Sequence, residues 1–251
     1  MATNFPADLT ASVTDATRPR LSFEHRFFLT AAVLFPLVTI IGFAPSYYFK
    51  TLFDTPPLPT VLVHAHGALM SLWIILFSVQ AYLISSKRVR WHITLGTLGV
   101  ALALAVIVIG VMTGYASFAR GASFPGYTPT EFFIVPIGDM VTFAIVFAAA
   151  IYYRKNAANH KRLMLVTMLN FLPPSIARLP LPFIPHLGTI WFFGVPDLIA
   201  VLLLAGDTYR TGKLNRAFAA GVTLMVVSGP LRMAIARTEM WGQFATWIIS
   251  Q

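Results

Sequence analysis

Seven stretches of about 20 mostly apolar residues recur along this 251-residue chain, and nothing else in it constrains the fold as strongly. A helix needs about 20 such residues to cross roughly 30 Å of hydrocarbon. The stretches fall at 27–48, 61–85, 92–114, 132–153, 163–183, 190–206 and 217–236. In lipid a spanning segment must satisfy its own backbone N–H and C=O groups, so the pattern predicts an all-α integral membrane bundle of seven transmembrane helices. Composition points the same way: 57% of residues are apolar and 11% charged, where soluble domains hold about 25% charged.

The formal charge of +9 arises from 18 Lys and Arg against 9 Asp and Glu. The basic residues fall in short clusters between the apolar runs, which excludes a nucleic-acid-binding face and fits a bilayer. Thirteen sit at one set of segment ends: Arg18, Arg20 and Arg26; Lys87, Arg88 and Arg90; Arg154, Lys155, Lys161 and Arg162; Arg210, Lys213 and Arg216. The other ends hold Lys50, Arg120 and Arg237, while Arg178 and Arg232 lie inside spans. This asymmetry predicts a cytoplasmic N-terminus, an outside C-terminus and location in a bacterial inner membrane. It divides the chain into a cytoplasmic segment 1–26, a transmembrane domain 27–236 and an interfacial segment 237–251. The first span reads as a retained signal anchor, since no small-residue cleavage site follows it.

Prolines disturb the pattern. Pro173, Pro174, Pro180 and Pro182 must kink or unwind the fifth span, and Ser228, Gly229 and Pro230 predict a milder kink in the seventh. The loop Tyr115 to Glu131, rich in Gly, Pro and aromatics, reads as a compact lid. The last segment, with Trp241, Phe244 and Trp247, reads as an interfacial helix on the outer surface.

Ionisable groups inside a bilayer are costly, so each is a functional candidate. His92 and His160 open the third and fifth spans at the cytoplasmic ends, and two imidazoles from different helices can clamp a b-type haem. From His92, steps of three and four along the helix give Gly96, Gly99, Ala103, Val106 and Gly110. That small-residue face reads either as a groove for a flat macrocycle or as a close helix contact. Lys87, Arg88, Arg90, Lys161 and Arg162 are candidates to hold its propionates. A second layer lies nearer the outer ends and contains His64, His66, Asp139, Arg178, Asp197 and Arg232. Its two acids and two arginines are expected to pair in some combination. His64 and His66 diverge by about 200° around a helix, so at most one faces the bundle. His66 is favoured because it shares a face with Met70, Trp73, Phe77 and Gln80.

The run His66-Gly67-Ala68-Leu69-Met70, then Trp73, a basic turn and Trp91-His92 resembles the first haem-ligand helix pair of ascorbate-dependent transmembrane cytochromes b. The resemblance covers about 35 residues. It implies that His66 and His92 ligate different haems on opposite sides of the membrane, with His160 as the partner of His92. The chain departs from that family where a further histidine belongs: 132–153 has none, and Asp139 stands there instead. A second haem would then need another ligand, such as His186. The whole chain also resembles a large group of uncharacterised bacterial multi-pass inner-membrane proteins that share the later Asn-His-Lys-Arg-Leu-Met segment.

Three functions compete. The first is haem b electron transport, between a quinol or quinone and an outer-side acceptor, with His92, His160 and His66 as the metal ligands. The second is a cofactor-free transporter or small-molecule-binding protein built on the charged cluster Asp139, Arg178, Asp197 and Arg232. The third is a non-haem metal centre of His66, Asp139 and Asp197. The absence of cysteine excludes thiolate metal sites, iron–sulfur clusters and a cysteine nucleophile. No span carries a lysine for a retinal Schiff base, and Walker, Gly-x-Ser-x-Gly and zinc-protease motifs are absent.

Overall fold

The computed structural model describes residues 23–250 apart from Pro125, so nearly all of the segment 1–26 lies outside the described residues. Every regular element among them is helical. Six helices are long and apolar enough to cross a membrane: Arg26–Tyr48, Val61–Ser85, Val89–Ala119, Pro129–Lys155, His186–Thr211 and Arg216–Ala236. The chain is a multi-pass membrane protein.

In chain order, α1 (Phe23–Phe43) runs through Pro36 into a π-helical turn, Ala44–Tyr48, and α2 (Lys50–Phe53) follows. Then come α3 (Val61–Ser85), α4 (Val89–Ala119), α5 (Pro129–Tyr152), α6 (Ala157–Asn170) and α7 (Pro173–Ile176). The chain ends with α8 (Ile184–Thr189), a π-helical stretch Ile190–Gly194, α9 (Val195–Thr211), α10 (Arg216–Ala236) and α11 (Glu239–Ile249).

Local chemistry sets many of these ends. Thr60, Asn156, Asn215 and Thr238 each accept a bond from a backbone N–H in the first turn of the helix they precede. Thr128 and Glu131 form a reciprocal capping box at the start of α5. Such caps contribute about 1 kcal/mol each. Gly212 closes α9 in the left-handed region at φ 65°, where a side chain would be strained. The loop expected from Tyr115 to Glu131 is shorter than that, because α4 continues to Ala119 and α5 starts at Pro129. α10 continues through Pro230.

The fifth apolar stretch is the exception to the expected pattern, since no continuous spanning helix covers 163–183. α6 stops at Asn170, and Pro173 and Pro174 open the separate turn α7, because neither proline can donate the N–H that would prolong α6. The two pieces nonetheless both reach α1, α7 by close packing and α6 through a long side chain. Lys161 Nζ lies 5.8 Å over the Phe28 ring, Ser175 Oγ donates to Thr39 Oγ1 at 3.3 Å, and Arg178 lies over Phe43. Gly42 makes the α1–α7 approach possible, because a Cβ there would collide with the Ser175 carbonyl.

This broken segment is also the most enclosed part of the bundle. Arg162, Leu163 and every residue from Leu165 to Asn170 are buried. Around them pack Phe143, Val146 and Ala150 of α5, Phe218, Val222 and Met225 of α10, and Trp73 of α3. The spanning helices α1, α3 and α4 leave much of their apolar surface outward, with Val33, Ile75, Leu98 and Leu104 all more than half exposed, as a lipid-facing perimeter requires.

Candidate functional site

The described helices bring His92 and His160 together. Their ring centroids stand 6.4 Å apart with the planes at 83°. His92 lies in the first turn of α4 and His160 in the first turn of α6, both half-buried.

The first turn of α6 is fixed from four directions. Asn159 Oδ1 accepts from Asn215 Nδ2, the N-cap of α10, at 2.8 Å. His160 Nδ1 bonds the Ala150 carbonyl of α5 at 2.8 Å. Lys161 covers Phe28 of α1, and Arg162 makes a two-pronged contact with Asp207 of α9 at 2.8 and 2.6 Å. Four consecutive side chains thus reach four different helices. A carbonyl only accepts, so His160 Nδ1 carries a proton in this contact, and in a neutral ring the free lone pair then lies on Nε2, as a metal ligand needs.

His92 is held through its backbone. Gln80 Nε2 of α3 donates to the His92 carbonyl at 3.2 Å. His92 Nδ1 and Gln80 Oε1 are both buried without a hydrogen-bond partner. Buried polar atoms are rarely left unsatisfied, and a water, an ion or another group ordinarily completes them; five further atoms among the described residues share this condition, Arg232 Nε and Trp73 Nε1 among them.

Other parts of the expected haem site do not assemble. The small-residue face of α4 is a helix contact rather than a groove. A Cβ on Gly99 would come within 2.9 Å of Leu76, one on Gly96 within 3.5 Å of Gln80, and one on Gly110 would collide with Met140. Ala103 and Val106 are buried in the same seam. The glycines therefore let α3 and α5 press against α4. Arg162, a candidate for a propionate, is engaged by Asp207, an acid just past the end of the expected sixth span.

His66 is half-buried on α3 and stands fourteen residues from Gln80, roughly 20 Å along the axis. It belongs to the opposite end of the bundle from His92. The face it shares is packed rather than open, with Trp73 edge-on to Phe143 and Phe147 at 5.1 and 5.4 Å and Phe77 edge-on to Phe35 at 6.0 Å. His64 is exposed.

In the second layer one of the expected ion pairs forms. Arg232 Nη1 donates to Asp139 Oδ1 at 2.5 Å and to the Val135 carbonyl at 3.2 Å, while Nη2 donates to Ser228 Oγ at 2.8 Å. Asn170, the last residue of α6, donates to the Asp139 carbonyl at 3.0 Å. Asp139 and Arg232 are both buried. Asp197 is half-buried and senses the Arg232 charge without an ion-pair contact. Arg178 corrects the expectation of a four-member cluster. It sits after α7, where Nη1 donates to the Pro174 carbonyl at 2.9 Å and the guanidinium lies 4.7 Å over the Phe43 ring, with no acid among its contacts. It follows the break in the chain to a different side of the bundle.

Among the described residues no group of three or more His, Asp or Glu side chains converges to hold a metal ion, so His66, Asp139 and Asp197 do not form the non-haem centre. Comparison with protein-family models, curated proteins and solved structures finds no match.

Proposed function

We propose that this chain is a b-type haem protein of a bacterial inner membrane that carries electrons, between quinol and an acceptor on the outer side, with the basic loops facing the cytoplasm and the α6–α7 segment as a seventh, broken crossing. One observation carries the reading: His92 and His160, from separate helices, stand 6.4 Å apart by ring centroid. Imidazole nitrogens bind metals at about 2 Å, so two rings on one iron have centroids roughly 6 Å apart.

Further support comes from the preset His160 tautomer, the unpartnered His92 Nδ1 and the rigid anchoring of the α6 first turn. A bound haem supplies a one-electron iron couple. His92 and His160 would hold it, and the charged groups of Lys87 and Arg88 on the α3–α4 turn and of Arg90 in the first turn of α4 would meet its propionates. His66, at the far end of α3, is assigned to a quinone-facing role in this reading. The cofactor-free transporter has less behind it, because Arg232 already neutralises Asp139 and its two Nη groups go to Asp139, the Val135 carbonyl and Ser228, which leaves Nε alone without a hydrogen bond.

The test is optical. Purified protein should show a sharp reduced-state Soret band with one haem per chain, and both His92→Ala and His160→Ala should lose it while keeping the helical circular dichroism. Wild-type protein that is colourless and takes up no added haemin would sink the proposal.

A further inference from the structure

We infer that Arg178 forms a binding site for the phosphate of an anionic lipid headgroup, independent of the histidine pair. An arginine within the apolar body of a membrane protein ordinarily has a counter-charge. Arg178 has none among the described residues, and its only contacts are the Pro174 carbonyl and the face of Phe43. One carbonyl uses one of five guanidinium donors. Arg178 is exposed as a residue and lines an open cleft of about 350 Å³.

The cleft is shaped by the loop that follows α7, and its other walls include Leu179, Leu181, Pro182 and Ile184. Its depth is set by Phe43, five residues before the end of the Arg26–Tyr48 span, or about 7 Å along the helix. That is the level at which headgroup meets acyl chain. A planar guanidinium matches two phosphate oxygens, and the apolar walls suit the first methylenes of the lipid. A free phosphate would find one cation and apolar walls, too little to replace its hydration shell. A lipid phosphate adds the burial of its chains, and a net negative headgroup supplies the missing counter-charge.

The position of Arg178 is not free to drift. Gly42 lets the Ser175 carbonyl press against α1, Ser175 Oγ bonds Thr39, and Trp191 Nε1 donates to the Ile176 carbonyl at 3.0 Å. These contacts present the guanidinium as a preset donor to an anion rather than a tethered surface charge.

The full-length protein in neutral detergent should bind phosphatidylglycerol about five-fold more tightly than phosphatidylcholine at this site, read by native mass spectrometry and by thermal shift. Arg178→Gln should abolish that component, and Arg178→Lys should keep part of it. A photoactivatable phosphatidylglycerol should label residues 177–184 in the wild-type chain, a result that does not depend on any variant folding. An undiminished preference in Arg178→Gln, the absence of labelling at 177–184, or an equal thermal shift with inorganic phosphate alone would overturn the assignment.

Discussion

Arg232 and Arg178 share a chemistry and a depth class in the sequence, yet they end in opposite conditions. Arg232 is buried among α5, α10 and the π-helical turn before α9, with Asp139, the Val135 carbonyl, Ser228 and the Phe193 ring around it. A Cβ on Gly138 would collide with its side chain, so α5 is glycine where the arginine passes. Arg178 is exposed beside a broken helix, with a carbonyl and a ring for company. A charge in apolar surroundings must be neutralised by whatever its helix rotation presents. Arg232 faces inward on a continuous helix and meets an acid, whereas the proline break turns Arg178 outward.

If this contrast is right, removing each partner should separate the two arginines by several kcal/mol. Asp139→Ala strands a buried guanidinium and should destabilise the folded state by about 3–5 kcal/mol, measured by reversible unfolding in mixed micelles. Asp207→Asn tests the intermediate case, because the Asp207 side chain is 22% exposed and Arg162 keeps a 2.8 Å bond to the Ala158 carbonyl. A loss of about 1.5–3 kcal/mol is expected in the same assay, together with faster amide exchange in the first turn of α6. Arg178→Gln should change unfolding free energy by no more than about 0.5 kcal/mol in lipid-free detergent, as for a substitution outside the core. A loss as large as that of Asp139→Ala would show that the two arginines are not distinct in kind.

Much of the bundle was legible in the chain. The apolar runs locate all six spanning helices, with ends that differ by a few residues because α4 extends to Ala119 and the span that contains α9 begins at His186. Pro173 and Pro174 mark the place where α6 stops, since a missing N–H is a local fact. The convergence of His92 and His160 was anticipated from their shared level. Asp207 was missed because it lies one residue past the expected sixth span, where an acid reads as loop. The signal that could have found it is the burial cost of Arg162 in a segment otherwise rich in Leu, Val and Met.

The sequence left the α4 stripe open between groove and contact, and it showed the His66 face without what covers it, for a common reason. Small residues at helical spacing are compatible with a groove or with a close contact, and an aromatic face with a pocket or a core. Periodicity gives the face but not what lies against it. Leu76, Met140 and Phe143 fill those faces, and they come from other helices.

Local covalent chemistry and hydropathy, both properties of single segments, therefore settled which residues are helical, where helices cap and where α6 breaks. The partners of Arg232, Arg162 and His160, and the lack of one for Arg178, were decided by how the helices rotate and pack. Those contacts join residues 10 to 97 positions apart, and their energies depend on distances that no segment carries alone.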